Sequence, residues 1–417
     1  MFEKSLLYFA SSAIALVALA TPAVAGSFNF SEKITAFDGA TGDRFGKSVA
    51  IEGNVALIGA SEDDGGSAYL FDIPTGNLLH KLTPPDGATG DRFGHSVAIE
   101  GNLALIGASE DDGGSAYLFD IPTGNLLHKL TPPDGATGHY FGWSVELDGD
   151  LALISGIDIN VPYYESSSTY LFDTTTGNLL HTLITPRNGI YKSIAMDEGL
   201  ALIGSTEDNN RRGSASLFDT ATGDLLQKLT APDDSTVMGF GASVAIDGDL
   251  ALIRANETDN RKSVVYMFDL TNGNILHTLS SPSNADSDLY SSALFGFSLA
   301  LDGNLALINS IETFNSIEEF NRSVVYSTYL FDMTTGNLLQ KLTTPDGDRY
   351  DYFDRALAID GDLALISAGG ADSTAGAAYL FRTTTPQSNS IPEPTSILGL
   401  LAVSGLGISS LLKRKKD

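Results

Sequence analysis

The chain has 417 residues, a formal net charge of −28, 43 glycines and no cysteine. The lack of cysteine excludes disulfide bonds, thiolate metal sites and cysteine nucleophiles, and the acidity argues against nucleic-acid ligands and anionic lipid surfaces. Many glycines together with β-branched and aromatic residues favour an all-β protein with many turns.

Residues 1–25 have the pattern of a secretory signal peptide. Lys4 precedes the apolar run LLYFASSAIALVALA, and the small residues Ala23 and Ala25 fit the cleavage rule, which places the mature start at Gly26. A short membrane anchor is the alternative interpretation. We expect cleavage by signal peptidase, followed by export.

Residues 26–385 consist largely of one unit copied seven times. The first two full copies, 38–85 and 86–133, are nearly identical. The positions at which they differ are Lys47/His95 and Val55/Leu103. A tandem repeat of this period predicts a repeat architecture rather than two or three ordinary domains.

Three strings recur in the same order in these copies: FGxS, then ALI, then an aromatic–Asp pair. The ALI string follows Val55, Leu103, Leu151, Leu200, Leu250, Leu305 and Leu363. The FGxS string begins at Phe45, Phe93, Phe141, Phe240 and Phe295, and has decayed at Ile190 and Phe353. The aromatic–Asp pair begins at Phe71, Phe119, Phe172, Phe218, Phe268 and Phe331, and a seventh aromatic residue, Phe381, precedes Arg382.

Each copy contains four short strand signals, which read SVAIE, LALIGA, SAYLFD and LLHKLT in the second copy. A tight Glu-Gly or Asp-Gly turn joins the first two strands, and a Thr-Gly turn joins the last two. Four antiparallel strands in about 50 residues are typical of a propeller blade. The sequence therefore predicts an all-β, seven-bladed β-propeller.

The two ends of the repeat region complement each other. Near the N-terminus, Lys33, Ile34 and Thr35 match the fourth strand of a copy, whereas the last copy stops at its third strand, 377–381. We expect the N-terminal segment to supply the missing outer strand and close the ring, which removes the open sheet edges. A solenoid, the alternative architecture, would need no such offset.

The string FGxSVA…G(N/D)…ALIGA…AYLF, over roughly residues 27–382, resembles FG-GAP repeats, the blades of integrin-α-type propellers. In that family many blades carry a calcium loop between the first two strands. Here that connection is as short as Asp148-Gly149-Asp150, which cannot supply six or more oxygen ligands. We therefore expect no metal site and no cofactor. The string AYLFDIPTGNLLHKL also resembles quinoprotein propellers, but those typically use a tryptophan in each repeat and this chain has only Trp143.

No motif for catalysis is present in the sequence. The string from Gly42 to Ser48, GDRFGKS, has one residue too few between its glycines for a phosphate loop and leads into a strand. Four histidines share one slot of the outer strand in different copies, so we expect them to lie too far apart to share a metal ion. They are His80, His128, His181 and His277. We expect a non-enzymatic protein, and the alternative is a secreted quinoprotein-like enzyme or hydrolase with a site in the central channel.

The acidic loops SEDDGG at Ser61 and Ser109 are interpreted as solvated loops rather than cation sites. The long, divergent connections 156–170, 281–296 and 309–323 all emerge on one face of a propeller, and a rigid scaffold with variable loops is typical of a binding protein. Neutral drift of those loops is the alternative. The aromatic residues that we expect to contact a polysaccharide or a surface protein are Tyr163, Tyr164, Tyr290, Phe314 and Phe320.

The C-terminus has three parts. A polar linker, 386–395, precedes an uncharged apolar segment, 396–412, which is long enough for a short transmembrane helix, and a basic end, 413–417. This tail resembles the PEP-CTERM sorting signal. The matching residues are Pro392, Glu393, Pro394, Lys413, Arg414, Lys415 and Lys416. The resemblance implies that the helix holds the protein in the inner membrane until an exosortase processes it for the cell surface or exopolysaccharide matrix. A plain single-span anchor is the alternative.

Overall fold

The computed structural model describes residues 27–40, 42–63, 65–85, 91–111, 113–133, 140–156, 168–185, 193–232, 236–257, 262–282, 292–315, 322–343, 345, 353–369 and 376–383. All of them lie within one unit, Ser27–Thr384. The predicted signal peptide, Pro-Glu-Pro linker, apolar segment and basic end lie outside the described residues. Among the described residues, no helix is long and apolar enough to cross a membrane.

Seven antiparallel sheets follow one another along the chain, and we number them as blades 1 to 7. The chain starts with β1 (Phe28–Ile34). Blade 1 is β2 (Phe45–Glu52), β3 (Val55–Ala60), β4 (Ser67–Asp72) and β5 (Asn77–Leu82). Blade 2 is β6 (Phe93–Glu100), β7 (Leu103–Ala108), β8 (Ser115–Asp120) and β9 (Asn125–Leu130). Blade 3 is β10 (Val145–Asp148), β11 (Leu151–Ser155), β12 (Ser168–Asp173) and β13 (Leu179–Ile184).

The later blades keep this order with local additions. Blade 4 is β14 (Ile194–Asp197), β15 (Leu200–Ser205), β16 (Ser214–Asp219) and β17 (Leu225–Leu229), with one helical turn, α1 (Asp208–Arg211), between β15 and β16. Blade 5 is β18 (Val237–Met238), β19 (Val244–Asp247), β20 (Leu250–Glu257), β21 (Ser263–Asp269) and β22 (Asn274–Ser280), where β18 and β19 both pair with β20. Blade 6 is β23 (Ser292–Asp302), β24 (Leu305–Asn315), β25 (Arg322–Asp332) and β26 (Asn337–Leu342). Blade 7 is β27 (Phe353–Asp360), β28 (Leu363–Ala368), β29 (Ala377–Thr383) and β1.

The N-terminal strand closes the last blade, as the offset of the repeats predicts. β1 pairs antiparallel with β29, and Lys33 lies opposite Tyr379 just as Lys81 lies opposite Tyr69 in blade 1. The innermost strands contact one another in a closed circle, in the order β2, β6, β10, β14, β19, β23, β27 and back to β2. The fold is therefore a seven-bladed β-propeller around a central channel, and the solenoid alternative is excluded.

Apolar layers between successive blades form the core. Leu57 and Leu70 of blade 1, for example, belong to the same buried cluster as Phe93 and Tyr117 of blade 2. Because neighbouring blades cover both faces of each sheet, the middle strands are apolar without interruption rather than alternating. The side chains of every ALI string are almost fully buried for this reason.

Blade 6 corrects part of the loop prediction. Residues 292–296, 309–315 and 322–323 belong to strands of 11 residues rather than to loops. The β-branched residues of the strings INSIET and RSVVYS suit the extension of this hairpin beyond the other blades. Phe314 therefore lies in β24, although its side chain is outside the described residues.

The ring has two sides, which we call the turn side and the loop side. The turn side carries the tight Glu-Gly or Asp-Gly turns and the Thr-Gly turns. The loop side carries the Phe-Gly strings and the connections between the second and third strands of each blade. We call the opening of the channel on this side the loop-side mouth. It is defined by the residues at position x of the FGxS strings and by Arg254, which lies next to one of them, Phe297. Its members from the copies with an intact FGxS string are Lys47, His95, Trp143, Ala242 and Phe297, and Arg254 belongs to it as well.

Candidate functional site

The repeated Phe-Gly pair is a joint between blades. Phe93 is fully buried and packs edge-on against Phe119 at 6.0 Å between ring centroids. Gly94 has φ +86, and a Cβ at this position would lie 2.3 Å from the carbonyl oxygen of Ser67 in blade 1. Phe93 also forms a parallel β-bridge with Gly66. Only glycine fits between the two blades at this point.

The FGxS serine serves the same joint. The Ser48 hydroxyl donates to the carbonyl oxygen of Gly94 over 2.9 Å. In blades 2 and 4 the serine oxygen accepts from the next inner strand instead, Ser96 from the Val145 N–H at 3.1 Å and Ser193 from the Val244 N–H at 3.0 Å. Side chains that fit a phosphate-loop pattern in the sequence are therefore used for contacts between blades.

The Thr-Gly turns have the structural role predicted for them. The Asp72 carboxylate accepts hydrogen bonds from the Thr75 N–H, at 3.1 Å, and from the Thr75 hydroxyl. Gly76 has φ +67, a left-handed conformation that favours glycine. The same Asp–Thr contact recurs in blades 2, 3, 4 and 6, and in blade 5 Thr271 and Asn272 both donate to Asp269.

The four outer-strand histidines do not meet, because each contacts the turn of the next blade. His80 lies against Gly124, where an added Cβ would be 2.7 Å from Nδ1. Nε2 of His128 is 3.2 Å from the carbonyl oxygen of Thr175, and Nε2 of His181 is 3.2 Å from that of Ala221. The slot is a further joint between blades.

In blade 6 this slot holds Gln340, which secures the closing strand. Its side-chain oxygen accepts from the Phe28 N–H at 2.8 Å, and its Nε2 donates to the Phe28 carbonyl at 2.7 Å. Phe28 is almost fully buried, so both backbone groups need these partners.

The acidic SEDDGG loops are not simply solvated, and that interpretation was wrong for one residue of each. Asp111 is only 6% exposed, accepts from the Tyr117 hydroxyl at 2.9 Å and pairs with Lys129 at 2.8 Å. Burial alone would raise the pKa of Asp111, but Lys129 holds it below its ordinary value. Asp63 makes the equivalent contacts with Tyr69 and Lys81. The ion pair with the lysine of the outer strand therefore stabilises this carboxylate in its buried position.

A ring of seven carboxylates surrounds the channel at the turn side, and we call it the carboxylate ring. Its members are Glu52, Glu100, Asp148, Asp197, Asp247, Asp302 and Asp360. Each accepts a hydrogen bond from the turn glycine of the next blade, as Glu52 does from the Gly101 N–H at 2.8 Å. Burial and the neighbouring carboxylates raise the pKa of Glu100 and of Asp247. Within the described part of the chain, no three His, Asp or Glu side chains are close enough to hold a metal ion.

The loop-side mouth differs from blade to blade. The rings of His95 and Trp143 lie 4.4 Å apart between centroids, and Tyr140 is 6.3 Å from Trp143. Burial, followed by the charges of Lys47 and Arg92, lowers the pKa of His95 to about 3, so that this ring is neutral. In blade 6 the mouth carries Phe297, whose side chain is 52% exposed. Aromatic and cationic groups thus share this opening.

Two further residues depart from the repeat. Glu146 occupies an inner-strand slot that holds alanine in the other six copies, and burial raises its pKa to about 8. The residue as a whole is half-buried, and its carboxyl has no hydrogen-bond partner among the described residues. Arg254 occupies a second-strand slot that holds glycine, serine or asparagine elsewhere, and it is 7% exposed. Neither residue stands out until the seven copies are aligned slot by slot.

Most of the predicted aromatic binding face lies outside the described residues. Tyr163, Tyr164, Tyr290 and Phe320 belong to connections that the structure does not describe, so their role stays a prediction. The sequence prediction did not include Glu146 or Arg254, and it used Trp143 only to weigh families.

The fold is shared with several solved structures. The hydrazine synthase of Kuenenia stuttgartiensis matches with a TM-score of 0.56 and 11% identity, over 84% of this chain and 98% of that one. The β-propeller domain of Cps50 (Swd1) from Myceliophteria thermophila matches with a TM-score of 0.52 and 13% identity, over 86% of this chain and all of that one. At such identities the likeness shows the fold alone. No curated protein matches this chain in sequence.

The family described as FG-GAP repeat matches five segments, which together make up more than half of the chain. These segments are 28–71, 77–119, 125–172, 224–268 and 337–381. Each begins on the outer strand of one blade and ends on the third strand of the next, so that it spans one Phe-Gly joint. The protein belongs to the FG-GAP repeat family.

Proposed function

We propose that this protein is an exported, non-enzymatic binding propeller of the cell surface or extracellular matrix, which binds a polysaccharide or a surface protein at its loop-side mouth. One observation carries the proposal: the residues that recur in the copies form joints between blades, whereas position x at the mouth varies. Seven copies in one chain act as controls for one another, because a position needed only for folding is filled in the same way throughout.

The chemistry of the mouth supports a binding role. Trp143, Phe297 and Tyr140 offer aromatic faces, and His95 is held neutral beside them. Aromatic side chains provide large contact areas with little loss of conformational freedom. The predicted aromatic residues of the neighbouring connections, Tyr163 and Tyr164 among them, would extend the same face.

Replacement of Trp143 tests this role. We expect Trp143→Ala to reduce retention of the protein in the matrix or on the cell surface, whereas Leu226→Ala, on the exposed outer rim, leaves retention unchanged. The measurement is the bound fraction of each variant after washing, at equal expression and equal melting temperature. Unchanged retention of Trp143→Ala, and of alanine variants of the five predicted aromatic residues, would contradict the proposal.

The sorting part of the proposal rests on the tail. The Pro392-Glu393-Pro394 motif, the apolar segment 396–412 and the basic end suit recognition by an exosortase after signal-peptide removal. We expect a tagged protein to lose its tail and leave the inner membrane only in cells that contain the exosortase. An intact tail and the same location with and without the exosortase would refute the sorting proposal.

A secreted enzyme with a site in the central channel is the second candidate. It is favoured by Glu146, since a carboxyl group with a pKa of about 8 on an innermost strand suits general acid–base chemistry near neutral pH. Absorbance of a bound quinone, or hydrolysis of a substrate that is lost in Glu146→Gln, would support this candidate. Absence of both from the purified protein would leave the binding role.

A further inference from the structure

Arg254 breaks the repeat at a place where three other blades have glycine, with no room for a side chain, and the remaining three have only serine or asparagine. At the equivalent Gly59, an added Cβ would lie 2.1 Å from the carbonyl oxygen of Gly94, and at Gly107 it would lie 2.0 Å from that of Gly142. Blade 5 instead accommodates a whole arginine, with its guanidinium 6.0 Å from the ring centroid of Phe297. The arginine therefore lies behind an exposed aromatic residue of the loop-side mouth.

The charge of Arg254 is buried. Its Nη2 donates to Asn256 Oδ1 at 2.7 Å and to the Ser263 hydroxyl at 3.1 Å. Nε is buried and has no acceptor, Nη1 has none among the described residues, and no described carboxylate pairs with the guanidinium. Burial lowers its pKa to about 10. Buried charges in proteins are ordinarily paired, so the unused Nη1 of this guanidinium indicates an anionic ligand.

The side chains around Arg254 indicate which class of anion would bind there. Phe297 offers an exposed ring directly beside the guanidinium, and Trp143 offers a second aromatic face on the other side of the mouth. The apolar face of a pyranose ring packs on such side chains. A guanidinium N–H, here that of Nη1, donates a charge-assisted hydrogen bond to a carboxylate. A sugar that carries a carboxylate satisfies both contacts at once.

We propose that the loop-side mouth binds a uronate-containing polysaccharide, with a uronate carboxylate on Arg254 and the sugar ring on Phe297. This inference rests on the proposed binding function and names its ligand class. A chain with a net charge of −28 repels acidic polymers over most of its surface, so the mouth is the place where such a polymer binds.

The test compares two polymers with the same sugar ring. In affinity electrophoresis of the purified full chain, polygalacturonate binds, and its methyl-esterified form, which has no charge, binds about 10- to 100-fold more weakly. Arg254→Met reduces binding of the acidic polymer to the level of the ester. Arg382→Met, which removes an arginine at the turn side with the same change in charge, leaves both affinities unchanged.

Folding of the variant is checked by its melting temperature, and a second measurement needs no variant. Oligogalacturonate raises the melting temperature of the wild-type chain, whereas the esterified oligomer does not. Equal binding of acid and ester, or full affinity of Arg254→Met, would overturn the inference. Competition by polyglutamate as effective as competition by polygalacturonate would overturn the glycan assignment and indicate an acidic protein segment.

The outcome separates this inference from the proposed function. Loss of matrix retention in Trp143→Ala, combined with equal binding of acid and ester polymers, would remove the uronate assignment and leave the binding function standing. Unchanged retention of Trp143→Ala, and of the alanine variants of the five predicted aromatic residues, would contradict the binding function itself.

Discussion

The two openings of the channel follow opposite rules. At the turn side, all seven blades present a carboxylate that accepts a hydrogen bond from the turn glycine of the next blade. At the loop side, the five copies with an intact FGxS string have five different residues at position x: Lys47, His95, Trp143, Ala242 and Phe297. A contact that every blade must make for folding is made by the same kind of residue in every blade. A contact with a ligand needs a particular residue in only one or two blades. Residues that repeat in every copy therefore form the contacts between blades, and residues that differ between copies form the candidate binding site.

The largest expected effect breaks a joint. Gly94→Ala should destabilise the fold by about 4 kcal/mol, because the new Cβ would lie 2.3 Å from the Ser67 carbonyl oxygen at a φ of +86. The control is Gly101→Ala, at a φ of +56 with open space around it, which should cost only about 1 kcal/mol. Urea unfolding of both variants measures the difference. Equal destabilisation would mean that backbone strain alone, and not the contact between blades, fixes the glycine.

A smaller effect concerns Glu146, which lies on the innermost strand of blade 3. Its pKa is about 8 in the fold against an ordinary value of 4.5. The folded chain therefore binds more protons than the unfolded chain between these values, and stability falls as pH rises from about 4.5 to about 8. Glu146→Gln removes this loss and should be more stable than the wild type by about 2 to 3 kcal/mol at pH 9, with no difference at pH 4.

The pH series of melting temperatures for Glu146→Gln needs a variant with the same change of charge. Glu198→Gln, at an exposed turn, should show no such dependence on pH. A parallel shift of Glu146→Gln and wild type over the whole pH range would show that the carboxyl is ionised in the fold.

The smallest expected effect concerns the outer strands, where Gln340 and Gln227 fill the same slot in different blades. Gln340→Leu leaves the buried N–H and carbonyl of Phe28 without partners and should cost about 2 kcal/mol. Gln227 fills the same slot in blade 4 but contacts the Gly273 turn instead, so Gln227→Leu should cost less than half as much. Hydrogen exchange at the Phe28 amide reports the local opening. An unchanged exchange rate in Gln340→Leu would mean that pairing with β29 is sufficient to hold β1.

The repeats made most of the fold predictable. Blade number, strand order and closure by Lys33 to Thr35 follow from the period and the offset of the copies. The inward turn of Asp111 was not predictable, because its partner Lys129 follows 18 residues later, on a strand whose register the sequence does not specify. The long strands of blade 6 were missed since their extension lies in segments that differ from every other copy.

The candidate site was less accessible to sequence analysis. Arg254 and Glu146 are ordinary residues of β-strands until the copies are aligned slot by slot, which shows glycine, serine or asparagine in place of Arg254 and alanine in place of Glu146. Their possible roles depend on how deeply their side chains are buried. That burial is determined by the packing of the neighbouring blade and not by the adjacent residues in the sequence. The predicted aromatic residues Tyr163, Tyr164, Tyr290 and Phe320 lie outside the described residues, and their role stays a prediction.

The closing strand has a consequence for the order of folding. β1 is synthesised first, but its partner β29 is synthesised last, and the Phe28–Gln340 contact joins residues 312 positions apart. Contacts of such sequence separation carry a large loop-closure entropy and form slowly. Six blades can pair their own strands while the chain is still growing, but the seventh has to wait for its last residues. Until that moment β1 is an unpaired edge, and the time it stays exposed sets the risk of aggregation during folding.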